Sequence, residues 1–152
     1  MNRILRAVAL VCSLVMLACF AACTGDEKAE TPDPAAAFER ILAEVKFAAP
    51  LEDNSEYAEY MFSELPEGTT VRMYAAGGQY TDAAILFTVK DEADLGAVRT
   101  AANAYLESVK EEFRLYHPEE MPKLENAVIR NVAASLILVV TEDVETVNAI
   151  LG

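Results

Sequence analysis

The architecture of this chain follows from residues 69–90, which read TTVRMYAAGGQYTDAAILFTVK. Residues 69–76 are rich in Thr, Val, Met and Tyr, side chains that favour β-strands. Gly77-Gly78 then supplies the positive φ angles that a tight hairpin turn demands. Residues 81–90 predict the returning strand of a β-hairpin. Its side chains fall on two faces, with Ile85, Phe87 and Val89 on one and Ala84, Leu86 and Thr88 on the other.

A second hairpin is predicted near the end of the chain. Residues 127–132 form a strand candidate, and residues 135–140, SLILVV, make an apolar run that is typical of an interior strand. In this arrangement one group of apolar side chains faces away from the helices, namely Leu86, Leu136, Leu138 and Val140. A further element or a partner must then cover that side of the sheet.

Helical patterns flank both hairpins. The first helix begins at Asp33-Pro34, where a capping side chain precedes a proline in the first turn, and Pro50 bars its continuation. The longest helix follows the acids of residues 91–94 and ends at His117-Pro118. Its apolar stripe recurs every three or four residues and consists of Leu95, Val98, Ala102, Tyr105, Val109, Phe113 and Tyr116.

The remaining segments complete an alternating order of helices and hairpins. Residues 57–65 predict a short helix or an ordered loop, and residues 118–126 predict a helical turn. Thr141 is expected to cap a final helix with an acidic first turn. The order helix, hairpin, long helix, hairpin, helix predicts an α+β domain over residues 34–152. We expect an antiparallel four-stranded sheet with helices packed mainly on one face.

Residues 1–22 have the pattern of a lipoprotein signal peptide. Arg3 and Arg6 precede an apolar run that ends at residue 22, shorter than the about 20 residues of a transmembrane helix. The run closes with Ala21 and Ala22, small side chains directly before Cys23. We therefore expect lipidation at Cys23. The alternatives are lipidation at Cys19, or a plain secretory signal or uncut anchor in place of a lipoprotein leader.

The segment that follows predicts a location for the domain. Residues 23–33 are polar, contain proline and lack large apolar side chains, so they cannot offset their chain entropy by burial. We expect a disordered tether. The domain would then lie on the extracytoplasmic face of the bacterial cell membrane, with the membrane as a partner through the lipid anchor.

Charge and cysteine content exclude several classes of function. The 152 residues carry 12 Lys+Arg and 25 Asp+Glu, a net charge of −13, whereas nucleic-acid binding needs clustered cations. The three cysteines, Cys12, Cys19 and Cys23, all precede the domain. Residues 34–152 therefore cannot form a disulfide, a CxxC redox pair or a thiolate metal site.

The sequence contains no familiar catalytic motif. It lacks the nucleophile elbow, the P-loop, the dinucleotide fingerprint, the HExxH helix and the EF-hand loop. His117, the one histidine, lies at a helix end, where a structural role is expected. Asp91, Glu92 and Asp94 could attract Ca²⁺, but helix capping also explains them. We therefore predict no catalytic residue, no cofactor and no metal site.

Two further groups allow a structural and a functional interpretation. Glu111-Glu112 and Glu119-Glu120 are expected to be solvated faces, because neighbours on a helix diverge by about 100°. Tyr57, Tyr60 and Phe62 are expected to pack in or around the core. The alternative for these aromatic side chains is a platform on which a sugar or a peptide stacks.

Three spaced segments of the chain resemble one family. YAAGGQYTDAAILFTVKD, EEFRLYHPEEMPKLENAVI and SLILVVTEDVETVNAI are similar to the lipoproteins of Gram-positive gut bacteria called domain of unknown function 4358. The second segment is the most specific, through Phe113, Tyr116, Pro118, Leu124 and Val128. The chain departs from the family at residues 132–134, where members carry a glycine and an aromatic residue.

The resemblance implies surface attachment and an α+β domain over about residues 34–151. It implies no reaction, so the lipidated Cys23 is the one site carried over. The leading hypothesis is a lipid-anchored cell-surface protein that binds or scaffolds an unknown envelope protein or ligand without catalysis. The alternatives are a small envelope hydrolase built from dispersed acids and hydroxyls, and a weak calcium-dependent adhesion or substrate-presenting module.

Overall fold

The computed structural model describes residues 32–62 and 64–152, which form an antiparallel sheet with helices around it. The strands are β1 (Glu52–Asp53), β2 (Thr70–Ala75), β3 (Ala83–Thr88), β4 (Val128–Val132) and β5 (Ser135–Val140). The helices are α1 (Pro34–Glu44), α2 (Ala58–Met61), α3 (Leu95–Tyr116), α4 (Met121–Glu125) and α5 (Val144–Leu151). Short 3-10 turns at Ser55–Tyr57, Glu92–Asp94 and Pro118–Glu120 precede α2, α3 and α4. The predicted α+β fold, both hairpins and the long helix are confirmed.

The centre of the sheet is the pair formed by β3 and β5, since the strand order is β1-β2-β3-β5-β4. Ile85 lies opposite Leu138, and Leu86 lies opposite Ile137. All four side chains are at most 4% exposed, although successive residues of a strand point to opposite faces. A strand pair that is apolar on both faces must be covered on both sides.

The prediction that helices pack mainly on one face is therefore wrong. Helices α1 and α5 cover the face that carries Leu86 and Ile137, whereas α3 and α4 cover the face that carries Ile85 and Leu138. The predicted group of outward side chains is also corrected, because Leu86 lies on the face opposite to the other three members. The helices of the chain itself cover both faces, and both cores consist of residues within 37–151.

The number of strands is corrected from four to five. The additional strand β1 pairs its two residues with Tyr74 and Ala75 of β2. The chain after it stays on the same edge, because Asn54 donates its amide to the Met73 carbonyl at 2.8 Å and the Ser55 hydroxyl accepts from the Met73 amide at 3.0 Å. Exposed acids at both positions of β1 give no strand pattern, so the sequence did not predict it.

Helix caps agree with two of the three expectations. The Asp33 carboxylate accepts from the Ala36 amide at 2.8 Å and begins α1, as predicted. Asp91 caps the turn before α3 by accepting from the Ala93 amide at 2.9 Å. Thr141 does not cap α5, because its hydroxyl donates to the Lys46 carbonyl and the capping side chain is Asp143.

Several predictions fall outside the described residues. The signal peptide over residues 1–22, Cys19, Cys23 and the tether up to residue 31 are not described by the structure. Within residues 32–62 and 64–152, no helix combines the length and the apolar character that a membrane span requires.

The second hairpin closes through a strained alanine. Residues 133 and 134 connect β4 to β5, and Ala133 has a φ of 46°, in the left-handed region. A non-glycine residue pays about 1–2 kcal/mol for this conformation because its Cβ approaches the following carbonyl oxygen. The chain thus closes this hairpin with an alanine at a position whose φ favours glycine.

We expect Ala133→Gly to raise the free energy of unfolding by about 0.5–1 kcal/mol, because relief of the strain exceeds the added entropy of the unfolded chain. Urea denaturation measures the change. Ala134→Gly is the matched control, since Ala134 has no positive φ and packs against the core. This control should lower the free energy of unfolding, and equal effects of the two substitutions would contradict the assignment of strain to Ala133.

Candidate functional site

Helix α3 is longer than the sheet that it covers. Its 22 residues span about 33 Å, whereas the six residues of β3 or β5 span about 20 Å. Val98 and Ala102, near the start of the apolar stripe, are fully buried. Tyr105, Val109 and Phe113, further along the stripe, are only partly buried. The second half of the stripe therefore forms the wall of a cleft.

The cleft lies between α3, the loop of residues 76–82 and the residues around α2, and its volume is about 640 Å³. Its floor is formed by the ends of β2 and β3. The lining residues are Glu52, Asn54, Tyr57, Tyr60, Met61, Met73, Ala75, Ala76, Gly77, Gly78, Tyr80, Thr81, Asp82, Ala83, Tyr105, Val109 and Phe113. Four tyrosines give the cleft apolar rings with polar tips, a lining typical of ligand sites.

The loop of residues 76–82 replaces the tight turn that the glycine pair predicts. Its ends are joined by a hydrogen bond from the Ala76 amide to the Asp82 carbonyl at 2.8 Å. Gly78 does have a positive φ, of 72°. Both glycines line the cleft, and a Cβ atom at Gly77 or Gly78 would meet nothing within 4 Å.

The aromatic group of residues 57–62 divides between the core and the cleft. Phe62 is 5% exposed, and its ring centroid lies 5.0 Å from that of Phe87 and 5.1 Å from that of Tyr105. Tyr57 and Tyr60 are 53% and 84% exposed and line the cleft. The expectation of packing is thus confirmed for Phe62, and the two tyrosines provide an exposed aromatic surface.

Three buried charged residues, Asp82, Glu120 and Lys123, form a triad that holds the end of the loop. The Lys123 ammonium donates to Asp82 Oδ2 and to Glu120 Oε2, both at 2.8 Å. The amide and the hydroxyl of Thr81 donate to the same Glu120 oxygen at 2.9 Å. The Ala48 amide donates to the other oxygen of Asp82 at 3.1 Å. Charge-assisted hydrogen bonds therefore fix the end of the loop at Thr81 and Asp82.

The triad corrects one expectation and adds residues that sequence analysis missed. Glu119 is exposed as predicted, but Glu120 is buried together with Lys123. The signal in the sequence was weak, since a Glu–Lys pair three residues apart usually lies on a solvated helix face. Asp82 has no local partner in the sequence, because Lys123 reaches it from 41 positions away.

Hydrogen bonding keeps Glu120 and Lys123 ionised. Burial raises the pKa of Glu120, but hydrogen bonds from Lys123 and Thr81 outweigh it, so the pKa lies below its ordinary value. Burial lowers the pKa of Lys123, and hydrogen bonds to Asp82 and Glu120 outweigh it in turn, so this pKa is raised. Burial raises the pKa of Tyr105, whose hydroxyl stays protonated. At neutral pH these groups hold their protons or charges firmly.

The other residues considered from the sequence lie apart from this arrangement. His117 ends α3, and its Nδ1 lies 3.3 Å from a carboxylate oxygen of Glu119. Asp91 serves as a cap, and the described part of the chain holds no group of three acid, histidine or cysteine side chains able to bind a metal ion. Glu111-Glu112 is exposed, as expected of a solvated face.

Replacement of Lys123 by methionine tests the triad. At pH 7 we expect Lys123→Met to lower the free energy of unfolding by about 3–5 kcal/mol, because two buried carboxylates lose their cation. Glu120 has a folded pKa below 4.5, so its contribution is present above pH 4.5 and is lost as pH falls through the folded pKa. The cost of the substitution should therefore shrink as the pH falls from 7 to about 3.5, because Glu120 without its cation takes up a proton more readily than Glu120 paired with Lys123.

Lys110→Met is the control for this experiment. Lys110 also pairs with a glutamate three residues away, Glu107, but that glutamate side chain is 65% exposed. We expect Lys110→Met to lower the free energy of unfolding by at most about 1 kcal/mol at either pH. Urea denaturation of both variants at the two pH values gives the comparison, and equal losses would contradict the role of the buried triad.

The comparisons with known proteins connect this geometry to a family. Residues 70–149 match the family model described as Domain of unknown function (DUF4358). No curated protein and no solved structure matches the chain. The matched residues run from β2 into α5 and include the loop of residues 76–82 and the triad. Because this match covers more than half of the 152 residues, the chain belongs to the domain of unknown function 4358 family.

Proposed function

We propose that this protein is a lipid-anchored binding protein on the extracytoplasmic face of the bacterial cell membrane. The domain binds its ligand in the tyrosine-lined cleft without catalysing a reaction. The observation that carries the proposal is the cleft of about 640 Å³ with exposed Tyr57 and Tyr60 at its side. Large apolar side chains held in solvent around a concave surface are typical of an interaction site.

The ionisation of the groups beside the cleft favours binding over acid–base catalysis. A general acid or base works best when its pKa lies near the working pH. The pKa of Glu120 is lowered and that of Lys123 is raised, so both move away from neutrality. Their hydrogen bonds hold the loop of residues 76–82 in place, and a binding protein needs such a rigid surface.

The lipid anchor rests on the sequence. Arg3 and Arg6, the apolar run up to residue 22 and the small side chains before Cys23 form the pattern that lipoprotein processing requires. Polar residues separate Cys23 from α1, which begins at Pro34. About ten extended residues reach about 35 Å, so the domain can bind a ligand at a distance from the bilayer.

The cleft is tested with the neutral dye Nile red and a protein comprising residues 32–152. We expect saturable binding that Tyr60→Ser weakens about tenfold, because the dye loses a stacking surface and its apolar contact. Tyr116→Ser is the matched control, since Tyr116 is 74% exposed but does not line the cleft. Fluorescence titration measures both variants. Equal dissociation constants for the two variants would contradict binding in the cleft.

The anchor is tested with Cys23→Ala in the full chain. The wild-type chain should incorporate labelled fatty acid and sediment with membranes, whereas the variant should incorporate none. Cys19→Ala is the control and should keep the label. Continued labelling of the Cys23→Ala variant would show that the lipid is attached elsewhere.

A further inference from the structure

The cleft continues into a second depression. This depression has a volume of about 400 Å³ and lies along the other side of Met61, Tyr105 and Val109, which line both. We call the two together the groove. The three shared residues lie between the two hollows and form a divide. A groove of this form suits an extended chain whose successive side chains occupy both hollows.

The charged side chains of the groove have one sign. Glu52 lines the cleft, and Glu64 and Glu112 line the second depression. All three are exposed, and none forms an ion pair with another described residue. Asp82, the other acid of the lining, is already neutralised by Lys123. No lysine or arginine lines either hollow in the described part of the chain.

This combination of aromatic rings and carboxylates is suited to organic cations. A guanidinium or ammonium group is attracted to the face of an aromatic ring and to a carboxylate, while its aliphatic stem packs on apolar side chains. Arg72 is an example within the domain itself. The guanidinium of Arg72 lies 5.1 Å from the ring centroid of Phe38 and pairs with Glu39 at 2.8 Å.

We propose that the groove binds an extended basic peptide segment of a partner protein, with lysine or arginine side chains directed to Glu52 and Glu112. The proposal rests on the proposed binding function and names the class of its ligand. The net charge of −13 supplies a long-range attraction to the same class of partner. Apolar residues between the basic ones fit the divide formed by Met61 and Val109.

The test is calorimetric titration of the full lipidated chain in dodecyl maltoside. The probes are three acetylated octapeptide amides, in which leucine alternates with arginine, glutamine or glutamate, and the neutral sugar tetra-N-acetylchitotetraose. We expect the arginine peptide to bind about tenfold more tightly than the glutamine peptide, with this advantage reduced at high salt. Tyr60→Ser should weaken binding of the arginine peptide, and Tyr116→Ser should leave it unchanged.

Two double variants of equal net charge test the position of the acids. Glu52→Gln/Glu112→Gln should weaken binding of the arginine peptide about fivefold, because two exposed ion pairs are lost. Glu92→Gln/Glu145→Gln is the control, since both residues are exposed and lie outside the groove. This control should bind almost as the wild type does.

The outcomes separate this proposal from the proposed function. Equal affinity for the arginine and glutamine peptides, or equal losses in the two double variants, would overturn the proposal of a basic ligand. Binding of the sugar alone, sensitive to Tyr60→Ser, would also overturn it and would assign the groove to carbohydrate. In each of these cases the proposed binding function is still supported if Tyr60→Ser weakens the binding of Nile red. If Tyr60→Ser leaves Nile red binding unchanged, both the proposed binding function and the proposed basic ligand are contradicted.

Discussion

The pairing of β3 with β5 is the constraint from which the rest of the domain follows. Six residues of each strand are matched in antiparallel register, and all of them except Thr88 are buried, on both faces of the pair. A strand pair of this kind is stable only between two layers, so helices must lie on both sides. The chain meets this requirement with α1 and α5 on one face and α3 and α4 on the other.

The cleft is a consequence of unequal lengths in this layered structure. Helix α3 is longer than β2 and β3, and the apolar side chains of its second half lie beside the ends of these strands and are only partly buried. The residues around α2 and the loop of residues 76–82 lie beside this part of α3 and enclose the cleft. The same helix therefore covers the core with its first half and lines the cleft with its second half.

The sequence predicted the elements that have a local signal. Alternating and continuous apolar runs located both hairpins, and a stripe with helical spacing located α3. It did not predict β1, whose two acids carry no strand pattern, or the cap at Asp143, because Thr141 was an equally suitable residue two positions earlier. It also assigned Leu86 to the wrong face, since faces are fixed by the register between strands that are distant in the sequence.

The triad and the groove show how the same residue type takes opposite roles in an acidic protein. Glu120 is buried with a lysine and fixes the loop, whereas Glu52 and Glu112 are exposed at the groove without a cation. Local sequence does not separate these cases, because the partner of a buried acid is chosen by the tertiary fold. Acidic side chains without a cation repel one another, and this repulsion lowers the free energy of unfolding. A cationic ligand of the proposed kind would reduce this repulsion on binding.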